Sequence, residues 1–323
     1  MREHTILVLR EGTHAMPMSE FAAAIRKRRP EDDVILARTR SAERNAICNA
    51  NIVTGKTLNA ELLDRAENLD LFAGITAGYE HLPLEDITAR GTVVTNASGV
   101  HVSNIAEQVL GNLLVFARRL DEGWRRQQEP HWEHYQANEL KESTVTVVGL
   151  GAIGKGIVAR LDPFGVDTIG VRHSPEKDSP TGEVVGFDGP DFEAALARTD
   201  YLVLACPLTE ITKGLIDDAV FTTLAPDAVL VNVARGGVVD TDALLDALRR
   251  NKLGGAALDV TDPEPLPEDH PLWSFDNVHI TPHMAGGTPK YYERCADILE
   301  RNLETVDETG EYRNLENTVA TPE

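Results

Sequence analysis

Three side chains with complementary acid–base chemistry stand in the second half of the chain: Arg235, Glu264 and His283. Each follows a strand-like apolar run, and these runs are Val229–Val233, Ala256–Val260 and His279–Thr281. Parallel strands bring their carboxyl ends to one edge of a sheet, where open α/β proteins bind ligands. A guanidinium there can bind a carboxylate and polarise a carbonyl, an imidazole can transfer a proton near pH 7, and a carboxylate can orient the imidazole. This set of groups suits the reduction of a 2-oxo acid by a bound hydride donor.

A glycine-rich motif predicts where such a donor binds. It follows the strand-like run Val145–Val148, opens a helical stretch over residues 152–160, and consists of Gly149, Leu150, Gly151, Ala152, Ile153 and Gly154. In this context the first glycine permits a tight turn, the second lets the backbone approach a pyrophosphate, and the third lets helix and strand pack closely. The helix N-terminus offers free N–H groups and a positive dipole end to the anion. The motif therefore predicts a bound dinucleotide.

The residues after the second strand-like run of this region, Thr168–Val171, bear on which dinucleotide is bound. An acidic residue there would accept hydrogen bonds from the adenine ribose, but this chain has Arg172, His173 and Ser174. A guanidinium favours a 2′-phosphate, and a serine hydroxyl can donate a further hydrogen bond to it. We therefore expect NADPH to be preferred over NADH. The alternative is that Arg172 stacks on the adenine while NADH is used.

Strand-like and helical segments alternate along the whole chain, which indicates parallel sheets covered by helices. In the first hundred residues the strand-like runs are Ile6–Leu9, Val34–Ala37, Ile52–Val53, Leu71–Ile75 and Val93–Thr95. Helices are expected over Ser19–Arg29 and Asn59–Glu67, with Ser19 and Asn59 as N-caps. A long amphipathic helix follows between Val102 and Ala117, and six strands starting at Thr144 match a doubly wound dinucleotide domain. A last helix, near Pro289–Thr305, is expected to return to the first domain.

Five ordered motifs between about residues 69 and 287 resemble the D-isomer-specific 2-hydroxyacid dehydrogenases. They are the glycine motif, Cys206-Pro207-Leu208-Thr209, the segment 231–237 around Arg235, the segment 257–267 around Glu264, and the segment 277–286 around His283. The resemblance implies that Arg235 binds the substrate carboxylate and carbonyl, that His283 is the acid/base, and that Glu264 hydrogen-bonds His283. It also implies an enzyme, an NAD(P)-dependent oxidoreductase.

The resemblance implies further contacts and a domain plan. Asp259 would contact the nicotinamide carboxamide, and the other cofactor contacts would come from Cys206, Pro207, Val233, Ala234, Ala285 and Gly286. The segment Thr76, Ala77, Gly78 and Tyr79 would hold the substrate carboxylate. Residues 1–100 and 288–323 would form a flavodoxin-like catalytic domain, into which a Rossmann cofactor domain of residues 101–287 is inserted, and a cleft between them would close over the substrate. Both domains are thus expected to be α/β, with doubly wound parallel sheets.

The composition is strongly acidic. Formal net charge is −21, and the basic residues comprise 8 Lys and 23 Arg. Such a surface suits a salt-rich cytoplasm, where screening weakens carboxylate repulsion, although an ordinary acidic protein is the alternative. Phosphate-rich nucleic acid is not an expected partner. Three scattered cysteines predict neither a disulfide framework nor a metal site, and the first residues show no secretory signal, so we expect a cytoplasmic location without a membrane partner.

The polar segment Asp121–Glu142 carries Trp124, Trp132 and Tyr135. Aromatic residues in a polar arm are typical of interfaces, and in the resembling family this region builds a two-fold dimer, so a homodimer is expected.

Several alternatives remain at this point. A nucleotide-sensing binding protein similar to the corepressors of this family would keep the fold without the activity. Glyoxylate or phosphoglycerate specificity is also open, although Lys56 is the one obvious loop cation for a phosphate in residues 1–100. The preferred 2-oxo acid, the physiological direction and the strictness of the NADPH preference do not follow from the sequence.

Overall fold

The computed structural model of the protein describes residues 4–13, 16–79, 81–129, 131–177 and 179–322. The chain divides into two units, one formed by Met1–Val100 with Gly287–Glu323 and the other by His101–Gly286. Gly287, which the sequence analysis placed in the inserted domain, falls in the first unit. Residues 1–3, on which the expected lack of a secretory signal partly rests, lie outside the described residues.

A six-stranded sheet forms the centre of the first unit, in the order β13-β5-β4-β3-β1-β2. The strands are β1 (Thr5–Val8), β2 (Asp33–Leu36), β3 (Ile52–Gly55), β4 (Leu71–Gly74), β5 (Val93–Thr95) and β13 (Thr318–Ala320). All neighbouring pairs are parallel except β13 with β5. The order 2-1-3-4-5 of the first five strands is the flavodoxin-like one.

Helices cover both faces of this sheet because successive strand residues point to opposite sides. Ile6 and Val8 pack with α1 (Met18–Arg28) and α11 (Tyr291–Thr309), whereas Leu7 and Leu9 pack on the opposite face. That second face is covered by α2 (Arg40–Ala46), α3 (Ala60–Leu63) and α4 (Leu84–Thr88). The return of the chain through α11 to the first unit therefore completes one of its two cores.

A buried ionic network fixes α11 in this unit. Arg29 donates to Asp32 from Nε at 2.7 Å and to Asp307 of α11 from Nη2 at 2.8 Å. The fully buried His4 lies 3.2 Å from the other oxygen of Asp307 through Nε2. Charged groups with such partners are tolerated in a core, and removing one partner would leave the others buried without a hydrogen-bonding group.

The second unit contains a seven-stranded, all-parallel sheet in the order β12-β11-β10-β9-β6-β7-β8. The strands are β6 (Thr144–Val148), β7 (Asp167–Val171), β8 (Glu183–Val185), β9 (Tyr201–Leu204), β10 (Val229–Asn232), β11 (Gly255–Leu258) and β12 (Val278–Ile280). On one face lie α5 (Val102–Arg118) and α7 (Ala152–Leu161); on the other lie α8 (Gly189–Leu196), α9 (Asp218–Thr223) and α10 (Thr241–Arg249). Strand order reverses direction at β6, which makes its carboxyl end the ligand-binding switch point of a Rossmann sheet.

The predicted fold class, two doubly wound parallel-sheet domains with one inserted into the other, is confirmed. Asn59 caps α3 as predicted, accepting from Leu62 N, but the helix ends at Leu63. The N-cap assigned to Ser19 is wrong, because α1 begins at Met18 with Pro17 at its N-cap. The strands β8 and β13 were not predicted. Each has three residues and is the last strand at one end of its sheet.

Among the described residues, no helix combines the length and apolar composition that crossing a membrane requires. The three cysteines, Cys48, Cys206 and Cys295, are free thiols.

Candidate active site

The predicted chemical groups of the second unit follow the carboxyl ends of strands in one parallel sheet. The glycine motif follows β6, Arg235 follows β10, Glu264 lies in the connection after β11, and His283 follows β12. Because all these strands are parallel, their carboxyl ends lie at one edge of the sheet.

The three glycines of the motif differ in what surrounds them. Gly149 has φ +99°, and a Cβ there would lie 2.7 Å from the backbone nitrogen and Cα of Cys206. A Cβ at Gly154 would overlap the carbonyl oxygen of Gly149, so only glycine lets α7 approach β6 this closely. At Gly151 a Cβ would meet no described atom within 4 Å. Gly151 therefore faces open space, as a pyrophosphate approach requires.

The first turn of α7 fits an anion. Gly151 is its N-cap, and in the part of the chain that the structure describes no side chain caps it by hydrogen bonding. The first helical bond runs from Lys155 N to Gly151 O at 3.0 Å, which leaves the first-turn N–H groups directed out of the helix. This backbone can hold the pyrophosphate of a nicotinamide dinucleotide.

Arg172 directly follows β7, the strand next to β6. Its backbone nitrogen donates to Val185 O at 3.1 Å, which continues the pairing of β7 with β8. Arg172 and Ser174 are half-buried, and His173 is exposed. The short strand β8 thus fixes the backbone of the residue that sequence analysis assigned to cofactor choice.

A buried asparagine positions Arg235. Asn232, which is 1% exposed, accepts from Ala234 N at 3.0 Å and donates to Arg235 O at 3.1 Å, so its amide turns the chain sharply after β10. The Arg235 side chain is exposed, and its Nη1 donates to Ala234 O at 2.7 Å. A Cβ at Gly236 would overlap the carbonyl oxygen of Thr261. The turn that carries Arg235 is therefore packed directly on the segment that leads to Glu264.

Glu264 and His283 form a hydrogen-bonded pair. His283 Nδ1 lies 2.9 Å from Glu264 Oε2, and Glu264 Oε1 accepts from Thr261 N at 3.1 Å. Since an ionised carboxylate only accepts, Nδ1 carries the hydrogen and Nε2 is the atom available to a ligand. The side chains are 52% and 38% exposed, so both remain accessible within this unit.

Asp259 holds the turn in which His283 lies. This carboxylate is 4% exposed and accepts from Thr281 Oγ1 at 2.6 Å, from Met284 N at 2.9 Å and from Ala285 N at 2.9 Å. The carbonyl of Asp259 accepts from His283 N at 2.8 Å. These bonds support His283 in a left-handed conformation with φ +50°, which non-glycine residues rarely adopt. A contact of Asp259 with a nicotinamide carboxamide stays a prediction.

A cavity of about 560 Å³ opens beside the Glu264–His283 pair. Its wall continues from these two side chains over Pro265, Leu266, Trp273, Ile280 and Pro282. The larger part of this lining is carbon. The indole of Trp273 is oriented by a hydrogen bond from Nε1 to Pro267 O at 2.9 Å.

Burial shifts the pKa of two other titratable groups in this unit. Burial raises the pKa of the Cys206 thiol to about 11, so the thiol stays protonated at neutral pH. Burial also lowers the pKa of His279, partly opposed by Asp121, and its ring stacks on Phe116 with centroids 4.7 Å apart. Among described residues no group of three or more His, Cys, Asp or Glu side chains could hold a metal ion.

In the first unit, the segment predicted to bind the substrate carboxylate follows β4. Thr76 Oγ1 donates to Gly78 O at 2.8 Å, and the carbonyls of Thr76 and Ala77 accept from Ala97 N and Asn96 Nδ2. These hydrogen bonds hold the segment as a turn within its own unit. Tyr79 is 38% exposed.

Sequence reasoning missed Asn232 and the structural role of Asp259. Both are polar residues at the ends of apolar strands, and that placement was the available signal.

Comparison with known proteins identifies the class. The family model described as "D-isomer specific 2-hydroxyacid dehydrogenase, NAD binding domain" matches residues 110–285. The chain is 36% identical over 255 residues to the glyoxylate reductase of Thermofilum pendens, covering 77% of this chain and 75% of that protein. The chain belongs to the D-isomer-specific 2-hydroxyacid dehydrogenases, and the predicted family is confirmed. These are nicotinamide-dependent oxidoreductases that interconvert 2-oxo and 2-hydroxy acids.

Solved structures agree. A D-isomer specific 2-hydroxyacid dehydrogenase family protein from Aeromonas salmonicida superposes with a TM-score of 0.79 at 28% identity, covering 98% of this chain and 99% of that one. A D-isomer specific 2-hydroxyacid dehydrogenase from Xanthobacter autotrophicus, solved in complex with NADPH and MES, gives a TM-score of 0.78 at 27% identity, covering 98% of each chain.

The glycine geometry yields a paired prediction. Gly151→Ala introduces a methyl group that meets no protein atom, so the melting temperature should hardly change. The same methyl group would obstruct a pyrophosphate, and losing one charge-assisted hydrogen bond should weaken dinucleotide binding about 10- to 100-fold. Gly154→Ala is the matched control, because its overlap with Gly149 should destabilise the fold by about 1–3 kcal/mol. Thermal melts and fluorescence titration with NADPH and NADH measure both effects. Wild-type dinucleotide affinity in Gly151→Ala would contradict the assignment.

Proposed function

We propose that this protein reduces small 2-oxo acids to D-2-hydroxy acids, with NADPH preferred over NADH. The observation that carries the proposal is the Glu264–His283 pair, 2.9 Å apart, on the sheet edge that also carries Arg235 and the glycine motif. A dinucleotide-sensing protein without activity would have no use for this pair, so we favour an enzyme over the corepressor-like alternative.

The nicotinamide dinucleotide supplies the hydride when it is bound at the glycine motif. Arg235 binds the substrate carboxylate and polarises the carbonyl, because its guanidinium offers a fork of N–H donors. As negative charge develops on the carbonyl oxygen, His283 gives it the proton from Nε2. Glu264 accepts from Nδ1 throughout and stabilises the charged imidazole before that transfer. In the reverse direction, neutral His283 takes the hydroxyl proton.

The remaining contacts are assigned by their positions at strand ends. Cys206 and Pro207 follow β9, Val233 and Ala234 follow β10, and Ala285 and Gly286 lie shortly after β12. We assign all of these, with Asp259, to the cofactor. In the first unit we assign residues 76–79 to the substrate carboxylate, with that unit as the catalytic domain.

Replacing the imidazole tests the chemistry. In His283→Ala, kcat for 2-oxo acid reduction should fall about a hundredfold or more, the usual scale for losing a general acid. Cofactor affinity and melting temperature should change little, because the side chain is half-exposed. Glu264→Gln keeps the size of the orienting group but loses its charge, so a smaller loss in kcat is expected. Near-normal kcat in His283→Ala, measured in steady state, would remove this residue from the mechanism.

Cofactor choice rests on Arg172. A guanidinium after β7 offers donors and positive charge to a 2′-phosphate, and a charge-assisted hydrogen bond contributes about 1.5–3 kcal/mol. The Xanthobacter relative was solved with NADPH, which supports this choice. Molar salt would screen the long-range part of the attraction, so NADH is expected to remain a slower substrate.

The kinetic test compares kcat/KM for the two cofactors. Wild type should prefer NADPH about 10- to 100-fold, and Arg172→Asp should invert the preference by removing the donor and repelling the phosphate. Arg250→Asp, at the exposed C-cap of α10, makes the same change in net charge away from β7 and should leave the ratio unchanged. A wild-type preference for NADH would overturn the assignment.

An arm of the second unit supports assembly into a homodimer. It comprises α6 (Leu120–Gln128) and residues 131–139, which lie outside the helices and strands. Trp132 is 97% exposed and Trp124 is 56% exposed, whereas Tyr135 lies under the guanidinium of Arg126 at 4.9 Å. An almost fully exposed indole is typical of a surface that a partner covers.

Because the net charge of the protein is −21, we place the protein in a salt-rich cytoplasm.

Sedimentation equilibrium in molar salt should give a dimer, and Trp132→Ala should shift the chain towards monomer. A monomer at micromolar concentration would exclude the dimer.

Transfer to low salt should lower the melting temperature, because the Debye length grows from about 3 Å at 1 M to about 30 Å at 0.01 M and carboxylate repulsion is no longer screened. Equal melting temperatures at the two salt concentrations would show that the acidic surface is incidental.

A further inference from the structure

The cavity beside Glu264 and His283 is far larger than the smallest 2-oxo acids need. Glyoxylate has only hydrogen on its carbonyl carbon and pyruvate has a methyl group, whereas the cavity measures about 560 Å³. That volume lies in the range of pockets that enclose whole small-molecule ligands. The cavity therefore has room for a further group besides the reacting carbonyl.

The wall of the cavity is mostly apolar, and its hydroxyl and indole donors already have partners. Leu266, Trp273 and Ile280 supply hydrocarbon surface, and the indole N–H of Trp273 is donated to Pro267 O. At the polar end, Thr281 Oγ1 donates to Asp259, and Thr261 Oγ1 donates to Pro263 O at 2.9 Å. Such a lining favours burial of carbon and offers little to a charged or hydroxylated group.

The wall is also held in place. Leu272, next to Trp273, is 2% exposed and packs in the core, and its backbone nitrogen donates to His270 Nδ1 at 3.3 Å. Leu266, Ile280 and Phe275 pack against the same core. A preformed wall of this kind binds without the cost of ordering loops.

Strand order places most of this space on the outer side of the cofactor, while Asp259, which we assign to the nicotinamide, lines its inner end. The glycine motif follows β6 in the middle of the sheet, whereas Pro265, Leu266 and Trp273 belong to the connection between β11 and β12 at its outer edge. A dinucleotide that extends from β6 towards Asp259 reaches His283 from the inner side. The outer part of the cavity then remains for the group attached to the substrate carbonyl carbon.

We propose that this cavity binds the side chain of the substrate, and that the preferred substrates are 2-oxo acids with an extended aliphatic side chain rather than glyoxylate or pyruvate. The proposal rests on the proposed function and deepens it. Each methylene that enters the cavity should raise kcat/KM about fourfold, which corresponds to about 0.8 kcal/mol of apolar burial.

The test is a homologous series with saturating NADPH: glyoxylate, pyruvate, 2-oxobutanoate and 2-oxopentanoate. Two added methylenes should raise kcat/KM from pyruvate to 2-oxopentanoate about 15-fold. Leu266→Trp fills the cavity and should abolish this rise, so that the ratio of kcat/KM for 2-oxopentanoate to that for pyruvate falls to about one. Phe164→Trp adds similar bulk at a partly exposed position outside the cavity and should leave the series as in wild type.

A second variant allows the proposal to be tested even if Leu266→Trp does not fold. Trp273→Ala enlarges the cavity at a half-exposed position, and it should extend the rise to phenylpyruvate. A flat or falling wild-type series would overturn the proposal, as would equal losses for all substrates in Leu266→Trp. If neither NADPH nor NADH supports reduction of any 2-oxo acid, the proposed function itself fails.

Discussion

The buried carboxylate of Asp259 is the contact on which the arrangement of the site depends. Its two oxygens accept three hydrogen bonds from Thr281, Met284 and Ala285, and its carbonyl accepts a fourth from His283. A buried charge is tolerated only when it is paired or fully hydrogen-bonded, so this side chain and the turn require each other. The turn places His283 in the left-handed region, from which its ring reaches Glu264.

Close backbone packing links the other two groups to this turn. Gly236 has no side chain, which lets the Arg235 turn lie against the carbonyl of Thr261, and the N–H of Thr261 donates to Glu264. A shift of one turn would therefore be passed to the next through backbone contacts, which are harder to deform than long side chains. This explains how exposed groups such as Arg235 and His283 can hold a fixed geometry, as their proposed catalytic roles require.

Sequence alone predicted the fold class and the location of the chemical groups, because both depend on local patterns. Apolar runs separated by helical segments indicate parallel sheets, and a glycine motif between a strand and a helix indicates a dinucleotide site. It did not predict Asn232 or the bonds of Asp259, since those depend on which segments meet in space. Nor did it predict the terminal strands β8 and β13, whose pairing also depends on which segments meet in space. Ser19 was wrongly assigned as a cap because Pro17, with its fixed φ, already starts the helix.

The same topology explains why one sheet edge can separate two chemical environments. The centre of the edge, at β6, presents backbone N–H groups from a helix N-terminus, which suit phosphate. The outer strands β11 and β12 are joined by a long connection rich in proline, and this connection supplies apolar wall beside the acid–base pair. Ile280 belongs to β12, but Pro265, Leu266 and Trp273 belong to the connection, so these three residues can change without disturbing Asp259 or the sheet. Under the proposed function, specificity for the substrate side chain can therefore change while Arg235, Glu264 and His283 stay in place.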